Sequence, residues 1–354
     1  MKEKSKYLEV SSFLDFFNCT IKNNSILIIE PNEFHQECLP GYTKYFIDLG
    51  YNVDVLMHDS GNDSFCLFPN NENIKLRTFQ NINYLKNYAK NLSSIIKKYD
   101  FILLQSIYYP NRMLYYDLGI YEKNNSIFVD HELKYINLNY SKYFKEHRIL
   151  TLGNISNGLQ VNPHYFGNIK IKDKNNKTNF FLTSSFRRNY KLFVNVSERL
   201  KRENFDFNVV VVGRGKTFNA KSIPQFLSPN FIFKYNISYS KLYEIIENSD
   251  FIIIPLEPNN SYDILFKTTK ATGSMQLVYG FLKPAIINQE FANFYNLNEK
   301  NSLIYTDSNL YDAMRNAILL SLKEYKYLQT NLHSTEEEIY QTSINNLKKV
   351  IHKK

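Results

Sequence analysis

A small polar cluster, Thr272-Gly273-Ser274, stands directly before the apolar run MQLVYGFL, and together they predict the start of a helix. The first backbone N–H groups of a helix have no partner within it, and the helix dipole adds partial positive charge at that end. Such a corner attracts a phosphate group. The alternative is an ordinary N-cap, in which Ser or Thr satisfies the helix's own donors.

Basic side chains follow another apolar run. Arg187, Arg188 and Lys191 come directly after NFFLTSS, in the stretch SSFRRNYK. A guanidinium group carries forked donors that suit phosphate oxygens. Because the stretch follows a predicted buried strand, we expect it at the ligand-binding edge of a sheet. A solvated basic helix start would have the same residues.

Three further candidates follow apolar runs in the second half of the chain. Gly213, in VVVVGRGK, either approaches a phosphate or lets the chain leave the sheet, and the third glycine of a dinucleotide fingerprint is missing. Tyr235, in FIFKYNI, could stack on a nucleobase or belong to the core. Glu257, in IIIPLEPNN, could hold ribose or sugar hydroxyl groups, or be a turn residue before Pro258.

The first half offers candidates for an acceptor. The stretch PNEFHQECLPGY places His35 in a loop, where it could touch an acceptor sugar. Pro40-Gly41 predicts a turn that leads into a helix, and we expect Gly41 and Tyr42 to contact the same acceptor.

Asp130 and His131 end the apolar run NSIFVDH. This pair could act in acid–base chemistry or contact sugar hydroxyl groups, and it is the catalytic candidate. A metal site is disfavoured because consecutive residues at a strand end point in different directions and no complementary His or Cys cluster appears.

These candidate residues can form one site only in a fold in which the ends of several strands lie side by side. Short apolar runs alternate with longer helical patterns in both halves of the chain, and the polar break GNIKIKDKNNKTN separates the halves. The alternation predicts an α/β protein with two doubly wound, Rossmann-like domains. We expect an N-terminal acceptor-side domain over 1–167 and a donor-binding domain over 168–330. A helix over 331–354 would then pack across the junction or lie free on the surface.

The composition of this chain of 354 residues limits the classes of partner that it can bind. The net charge of +9, from 43 Lys and Arg against 34 Asp and Glu, attracts anionic partners. The basic residues are dispersed and no recognition motif accompanies them, which argues against nucleic acid. The three cysteines fit no disulfide or zinc spacing, and no run suits a signal peptide or a bilayer span. We expect a cytoplasmic protein with peripheral contact to the anionic inner face of the cell membrane.

The second half resembles the donor-binding domain of retaining, glycogen-synthase-like glycosyltransferases of the GT-B fold, the family 4-like group. The stretches that carry this resemblance are SSFRRNYK, VVVVGRG, YSKLYEIIENSDFIIIPLEPNN and KATGSMQLVYGFLKPAII. The first half resembles the acceptor domain more loosely, through IIEPNEFHQECLPGYTKYFIDLGYNVDVL. The resemblance implies two domains that face a cleft and a metal-independent transfer. It implies no cofactor, because the nucleotide sugar is a co-substrate.

The resemblance also implies roles for single residues. The cations of SSFRRNYK would neutralise the donor diphosphate, and Gly273 and Ser274 would offer it backbone N–H groups. Many members carry two glutamates around this segment, where this chain has Thr268-Thr269 and Gln276-Leu277. Gln276 therefore occupies a donor-binding position without the carboxylate, and Glu257 is the candidate substitute.

Two hypotheses of function follow. The first is a hexosyltransferase that moves a sugar, with retention, from a nucleotide diphosphate sugar to a lipid-linked bacterial surface glycan. The second is a catalytically silent partner or scaffold subunit of an active glycosyltransferase, which the missing glutamates motivate. A nucleotide-sugar epimerase is a third alternative, which would interconvert sugars without an acceptor.

Overall fold

The computed structural model describes residues 9–59, 61, 63–121, 125–131, 148–153, 159–167, 170–184, 188, 190–213, 218–306 and 309–352. The chain divides into two compact units. Unit 1 comprises Met1–Phe166 and Ile339–Lys354, and unit 2 comprises Gly167–Glu338.

Within the described residues, unit 1 contains an eight-stranded sheet in the order β1-β4-β3-β2-β5-β6-β7-β8, and every pairing is parallel. Its strands are β1 (Glu9–Ser12), β2 (Ser25–Glu30), β3 (Asn52–His58), β4 (Ile74–Phe79), β5 (Phe101–Leu104), β6 (Ser126–Asp130), β7 (Ile149–Thr151) and β8 (Leu159–Gln160). The central runs SILIIE and SIFVD are buried along their whole length, as expected for parallel strands covered on both faces.

Before Phe166, the described part of unit 1 contains the helices α1 (Leu39–Asp48), α2 (Ile82–Ile96) and α3 (Arg112–Asp117). In α2 the buried residues Leu85, Ala89, Leu92 and Ile96 recur at helical spacing and form one face. Pro40-Gly41, predicted as a turn, instead lies inside the first turn of α1. Proline is well tolerated there because the N–H that it lacks has no partner in the first turn.

Unit 2, over the residues that the structure describes, contains a six-stranded parallel sheet in the order β11-β10-β9-β12-β13-β14. Its strands are β9 (Thr178–Ser184), β10 (Phe207–Gly213), β11 (Phe231–Tyr235), β12 (Phe251–Ile254), β13 (Ala285–Asn288) and β14 (Leu303–Tyr305). Its helices are α4 (Lys191–Arg202), α5 (Tyr239–Glu247), α6 (Ser261–Ile264), α7 (Ser274–Phe281), α8 (Gln289–Ala292) and α9 (Leu310–Leu319).

The last helix, α10, spans Leu322–His352 and starts earlier than the sequence predicted. Ser321 and Glu324 explain the start, because the Ser321 hydroxyl accepts from the Glu324 N–H and the Glu324 carboxylate accepts from the Ser321 N–H. Residues up to Glu338 belong to unit 2 and residues from Ile339 to unit 1. Among the described residues, no helix is both long and apolar enough to cross a bilayer.

Both sheets are doubly wound, as the alternation of the sequence predicted. Strand order reverses between β2 and β5 in unit 1 and between β9 and β12 in unit 2. Ligands of such sheets bind outside the carboxyl ends of the strands at the point of reversal. The fold therefore predicts that ligand-binding residues follow these four strands.

Candidate functional site

Unit 1 has a pocket of about 170 Å³ beyond the carboxyl ends of β5 and β6. Its lining residues are Phe34, His35, Ser106, Ile107, Tyr108, Asp130 and His131. The structure thus brings together His35, from the loop after β2, and the predicted pair of Asp130, at the end of β6, and His131 beside it. Asp130 is 1% exposed.

The imidazole of His131 contacts the two residues that follow β5. Its Nε2 lies 2.9 Å from the carbonyl oxygen of Gln105 and 3.4 Å from Oγ of Ser106. Because a carbonyl oxygen can only accept, Nε2 carries the proton and Nδ1 remains an acceptor. Burial, and then the charge of His35, lower the pKa of His131 to about 3. A neutral imidazole suits a contact to a sugar hydroxyl better than it suits a general acid.

His35 stacks on His131, with ring centroids 4.1 Å apart. Its backbone is left-handed, with φ at 64°, and the Gln105 side chain holds this conformation by donating to the His35 carbonyl over 2.8 Å. Nδ1 of His35 lies 3.7 Å from the Glu37 carboxylate. Burial raises the pKa of Glu37, but the hydrogen bond and charge of His35 outweigh burial and lower it overall.

Gly41 and Tyr42, which were predicted to contact an acceptor, do not line this pocket. A Cβ on Gly41 would lie 2.4 Å from the backbone of Pro163, so glycine is needed there for close packing of α1. Tyr42 is 0% exposed, and its hydroxyl has no hydrogen-bond partner among the described residues. Both positions belong to the packing of unit 1.

In unit 2, the amino end of α7 lies against the carboxyl end of β9. The hydroxyl groups of Ser274 and Thr183 are 3.4 Å apart. Thr272, Ser274 and Gln276 are buried, and Thr272 accepts from the N–H of Met275 over 3.1 Å. The predicted phosphate corner therefore sits at the point of strand reversal.

Gly273 precedes α7 without any conformational need for glycine. Its φ of −59° is one that every residue adopts, and no side chain caps the helix. A Cβ at this position would meet no atom within 4 Å. The ordinary N-cap interpretation predicts a capping hydroxyl, and this one is absent. The space above Gly273 is open to a ligand.

Arg188 is engaged in a buried ion pair. Its Nη1 donates to Asp263 over 2.9 Å and to the Pro255 carbonyl over 3.4 Å, and its guanidinium lies 4.8 Å from the ring of Phe266. The two charged side chains are 7% and 0% exposed. Burial raises the pKa of Asp263, and the Glu257 N–H and Arg188 oppose this shift. Part of the donor capacity predicted for phosphate is therefore used within the protein.

The remaining candidate residues of unit 2 differ in their exposure and in their contacts. Lys191 is exposed at the first residue of α4, and Arg187 lies outside the described residues. Gly213 ends β10, where a Cβ would lie 2.6 Å from the Ser184 carbonyl oxygen, so its glycine serves strand packing. Tyr235, at the end of the edge strand β11, is 37% exposed and not a core residue.

Glu257 is partly buried beyond β12, and its N–H donates to Asp263 over 3.0 Å. Its carbonyl oxygen accepts from the N–H of Asn260 over 3.1 Å, which is the turn that the alternative interpretation predicted. The turn follows the carboxyl end of β12.

Three polar residues at the carboxyl ends of β2 and β5 were not among the candidates predicted from the sequence. Gln105 and Ser106 follow FILL directly, and Glu30 ends SILIIE. Each is a polar residue that directly ends an apolar run, the same signal that selected Asp130. Asp263 could not be found this way, because only the tertiary structure places it beside Arg188.

Comparisons with known proteins show which solved structures share this fold. No protein-family model matches the chain, and no curated protein matches it. A glycosyltransferase from Rickettsia africae matches with a TM-score of 0.58 and 15% identity, over 94% of this chain and 98% of that chain. A mutant of S. aureus TarM, in complex with fondaparinux, alpha-GlcNAc-glycerol and UDP, matches with a TM-score of 0.62 and 10% identity, over 93% and 100%.

Anabaena HepE in complex with UDP-glucose matches with a TM-score of 0.55 and 10% identity, over 92% of this chain and 98% of that chain. At such low identity the similarity shows the fold alone. The chain has the α/β architecture of GT-B glycosyltransferases, with two doubly wound units, over nearly its whole length.

Proposed function

We propose that this protein is a glycosyltransferase that moves a sugar from a nucleotide diphosphate sugar to a glycan acceptor. The observation that carries the proposal is the fold, which matches proteins solved with UDP or UDP-glucose over more than nine-tenths of both chains. The residues at the two points of strand reversal support it, because each unit offers polar groups suited to one half of the reaction.

Unit 2 would bind the donor. The uncapped start of α7 and the open space above Gly273 support a diphosphate there, since backbone N–H groups and the helix dipole favour negative charge. Lys191 and Arg187 are the candidates for additional positive charge. The exposed ring of Tyr235 supports stacking on the nucleobase.

Unit 1 would bind the acceptor. The acceptor hydroxyl attacks the anomeric carbon, the bond from that carbon to the phosphate oxygen breaks, and the hydroxyl proton passes to the leaving diphosphate. In the pocket, Nδ1 of His131 can accept a hydrogen bond from a sugar hydroxyl, and Asp130 supplies a carboxyl group beside it. The leaving diphosphate develops negative charge, which the α7 corner would stabilise without a metal ion. Retention of configuration rests on the family resemblance.

Exposed apolar side chains of unit 1 support an acceptor that is linked to a lipid. Phe34 lines the pocket and is 42% exposed, and Met113 and Tyr116, one turn apart on α3, are 60% and 57% exposed. The exposed ring of Phe34, which lines the pocket, would accommodate the lipid part of such an acceptor. The net charge of +9 would favour peripheral contact with an anionic inner membrane face, where lipid-linked surface glycans are built.

The test is turnover with a panel of UDP, GDP and ADP sugars and short lipid-linked glycans, in buffer with a chelator. We expect release of a nucleoside diphosphate that depends on the acceptor. Release that occurs only with added divalent metal would contradict metal independence. No turnover and no binding of any nucleotide would contradict the proposal.

The second candidate is a catalytically silent GT-B partner of an active transferase. The Arg188–Asp263 ion pair favours it, because it occupies an arginine that a donor would otherwise use, and the glutamate positions hold Thr and Gln. Co-purification with a second transferase, together with an absence of nucleotide binding by the isolated chain, would identify this function.

A further inference from the structure

A buried hydroxyl group, that of Tyr295, joins the two ends of the loop that precedes α7. Tyr295 ends a short 3-10 helix (Asn293–Tyr295) that follows α8, and the residue is 5% exposed. Its hydroxyl donates to the Phe266 carbonyl over 2.7 Å and accepts from the Thr272 N–H over 3.4 Å. Because a carbonyl can only accept and an N–H can only donate, these two roles of the hydroxyl are fixed. One side-chain oxygen therefore closes the loop.

The first part of this loop folds around a single carbonyl. The N–H groups of Thr268, Thr269 and Lys270 all donate to the Leu265 carbonyl, over 3.2, 2.9 and 2.8 Å. These three bonds stay within the turn and do not reach α7. The Tyr295 hydroxyl connects the turn to the residues at the start of the helix.

Helix α7 in turn binds the backbone of Tyr295. The Tyr279 hydroxyl, on the second turn of α7, donates to the Tyr295 carbonyl. Burial raises the pKa of both tyrosines, so both hydroxyl groups stay protonated at ordinary pH. Tyr295 is consequently held by α7 through its carbonyl while its own hydroxyl holds Thr272. A buried side chain that is fixed at two points also fixes the groups that it binds.

The N–H groups next to Thr272 are those proposed for the donor diphosphate. The Thr272 N–H is used by Tyr295, and the Met275 N–H donates to the Thr272 carbonyl over 3.1 Å. Between them lie the N–H groups of Gly273 and Ser274, at a helix start without a side-chain cap. The position of Thr272 therefore sets the position of both.

We propose that Tyr295 is a positioning residue for the donor diphosphate, whose hydroxyl holds Thr272 so that the Gly273 and Ser274 N–H groups stay oriented toward a phosphate. Donors that are already oriented need no reordering when negative charge develops on the leaving diphosphate. This role rests on the proposed function, whereas the hydroxyl network is a property of the protein without nucleotide.

The first test is hydrogen exchange at the Thr272 amide, followed by NMR in the protein without nucleotide. Tyr295→Phe keeps the ring and removes the acceptor, so this amide should exchange about threefold to tenfold faster than in the wild type. Tyr325→Phe is the matched control, because Tyr325 is a buried tyrosine of unit 2 whose hydroxyl donates to the Asp250 carbonyl over 2.8 Å. The control should lose similar stability and keep the wild-type exchange at Thr272. An equal rise in both variants, or a rise in neither, would overturn the proposal.

The second test is calorimetric titration with whichever of UDP, GDP and ADP binds the wild type. The loss of affinity cannot exceed what the hydroxyl contributes, so Tyr295→Phe should weaken binding about twofold to tenfold, and Tyr325→Phe should not weaken it. Tyr279→Phe removes the bond to the Tyr295 carbonyl and should also weaken binding, which keeps the test decisive if Tyr295→Phe fails to fold. Wild-type affinity in both Tyr295→Phe and Tyr279→Phe would overturn the positioning role.

Turnover separates positioning from a purely structural contact. Tyr295→Phe should raise the KM for the donor by the same factor as the nucleotide affinity falls, and leave the KM for the acceptor unchanged. A merely structural contact would lower the amount of folded enzyme, and thus the apparent kcat, without changing the KM for the donor. A wild type that binds none of the three nucleotides would refute the proposed function and the role of Tyr295 with it, and the exchange data would then describe a structural contact alone.

Discussion

His35 and His131 stack with their ring centroids 4.1 Å apart and their planes inclined by 30°. Two imidazolium ions at this distance would repel each other, so the pair holds at most one positive charge at ordinary pH. Glu37 beside His35 favours the charge on His35. His131 is consequently the neutral member and the hydrogen-bond acceptor of the pocket.

The depressed pKa of His131 predicts a loss of stability in acid. Unfolded His131 binds a proton below about pH 6.5 while the folded residue stays neutral to about pH 3, so stability falls as pH falls. His131→Gln should remove about 2 kcal/mol of this loss between pH 6.5 and 5. Urea denaturation at both pH values measures the difference. His352→Gln, at the exposed end of α10, is the control and should leave the pH dependence unchanged.

Gly41 and Gly273 should respond in opposite ways to alanine. Gly41→Ala places a methyl group 2.4 Å from the Pro163 backbone and should cost about 2 kcal/mol or more. Gly273→Ala meets nothing within 4 Å and has a helical φ, so it should leave stability unchanged or raise it by up to about 1 kcal/mol. Thermal unfolding of the two variants compares them directly. Equal destabilisation would contradict the packing described for α1.

The buried ion pair of Arg188 predicts a structural penalty. Arg188→Ala leaves the Asp263 carboxylate buried without its partner and should destabilise unit 2 by about 3 to 5 kcal/mol. The double variant Arg188→Met with Asp263→Asn removes both charges and should recover most of that loss. Denaturation of Arg188→Met, Asp263→Asn and the double variant yields the coupling energy. A coupling energy near zero would show that the pair is not formed in solution.

Tyr235 should matter for nucleotide binding and not for folding. Loss of a stacked base would weaken binding by about 1 to 3 kcal/mol, whereas the side chain is already 37% exposed. Tyr235→Ala should therefore reduce nucleotide affinity with little change in unfolding temperature. Tyr327→Ala, on an exposed part of α10, is the matched control. Equal affinity in both variants would place the base elsewhere.

Apolar runs predicted most of the strands, because buried parallel strands are continuous in hydrophobicity and end in polar residues. The same logic located Asp130, His131 and His35, which the structure places in one pocket. The sequence could not distinguish a glycine that contacts a ligand from a glycine that allows close packing of the backbone. Gly41 and Gly213 serve close backbone approach, while Gly273 does not, and only the three-dimensional surroundings distinguish these cases.

Arg188 illustrates the other limit of the sequence. Its partner Asp263 is distant along the chain, and the two meet because α6 returns over the end of β12. The run of basic residues therefore indicated positive charge beyond the carboxyl end of β9, without showing how much of that charge a protein carboxylate already neutralises.

The most direct test of the central claim is calorimetric titration of UDP, GDP and ADP into the wild-type protein and into Gly273→Ala. The account predicts that one of these nucleotides binds the wild type and that Gly273→Ala weakens its binding about tenfold or more, a loss of at least ~1.4 kcal/mol, without lowering the unfolding temperature. Absence of binding by the wild type, or equal binding by the variant, would contradict a diphosphate site at the start of α7.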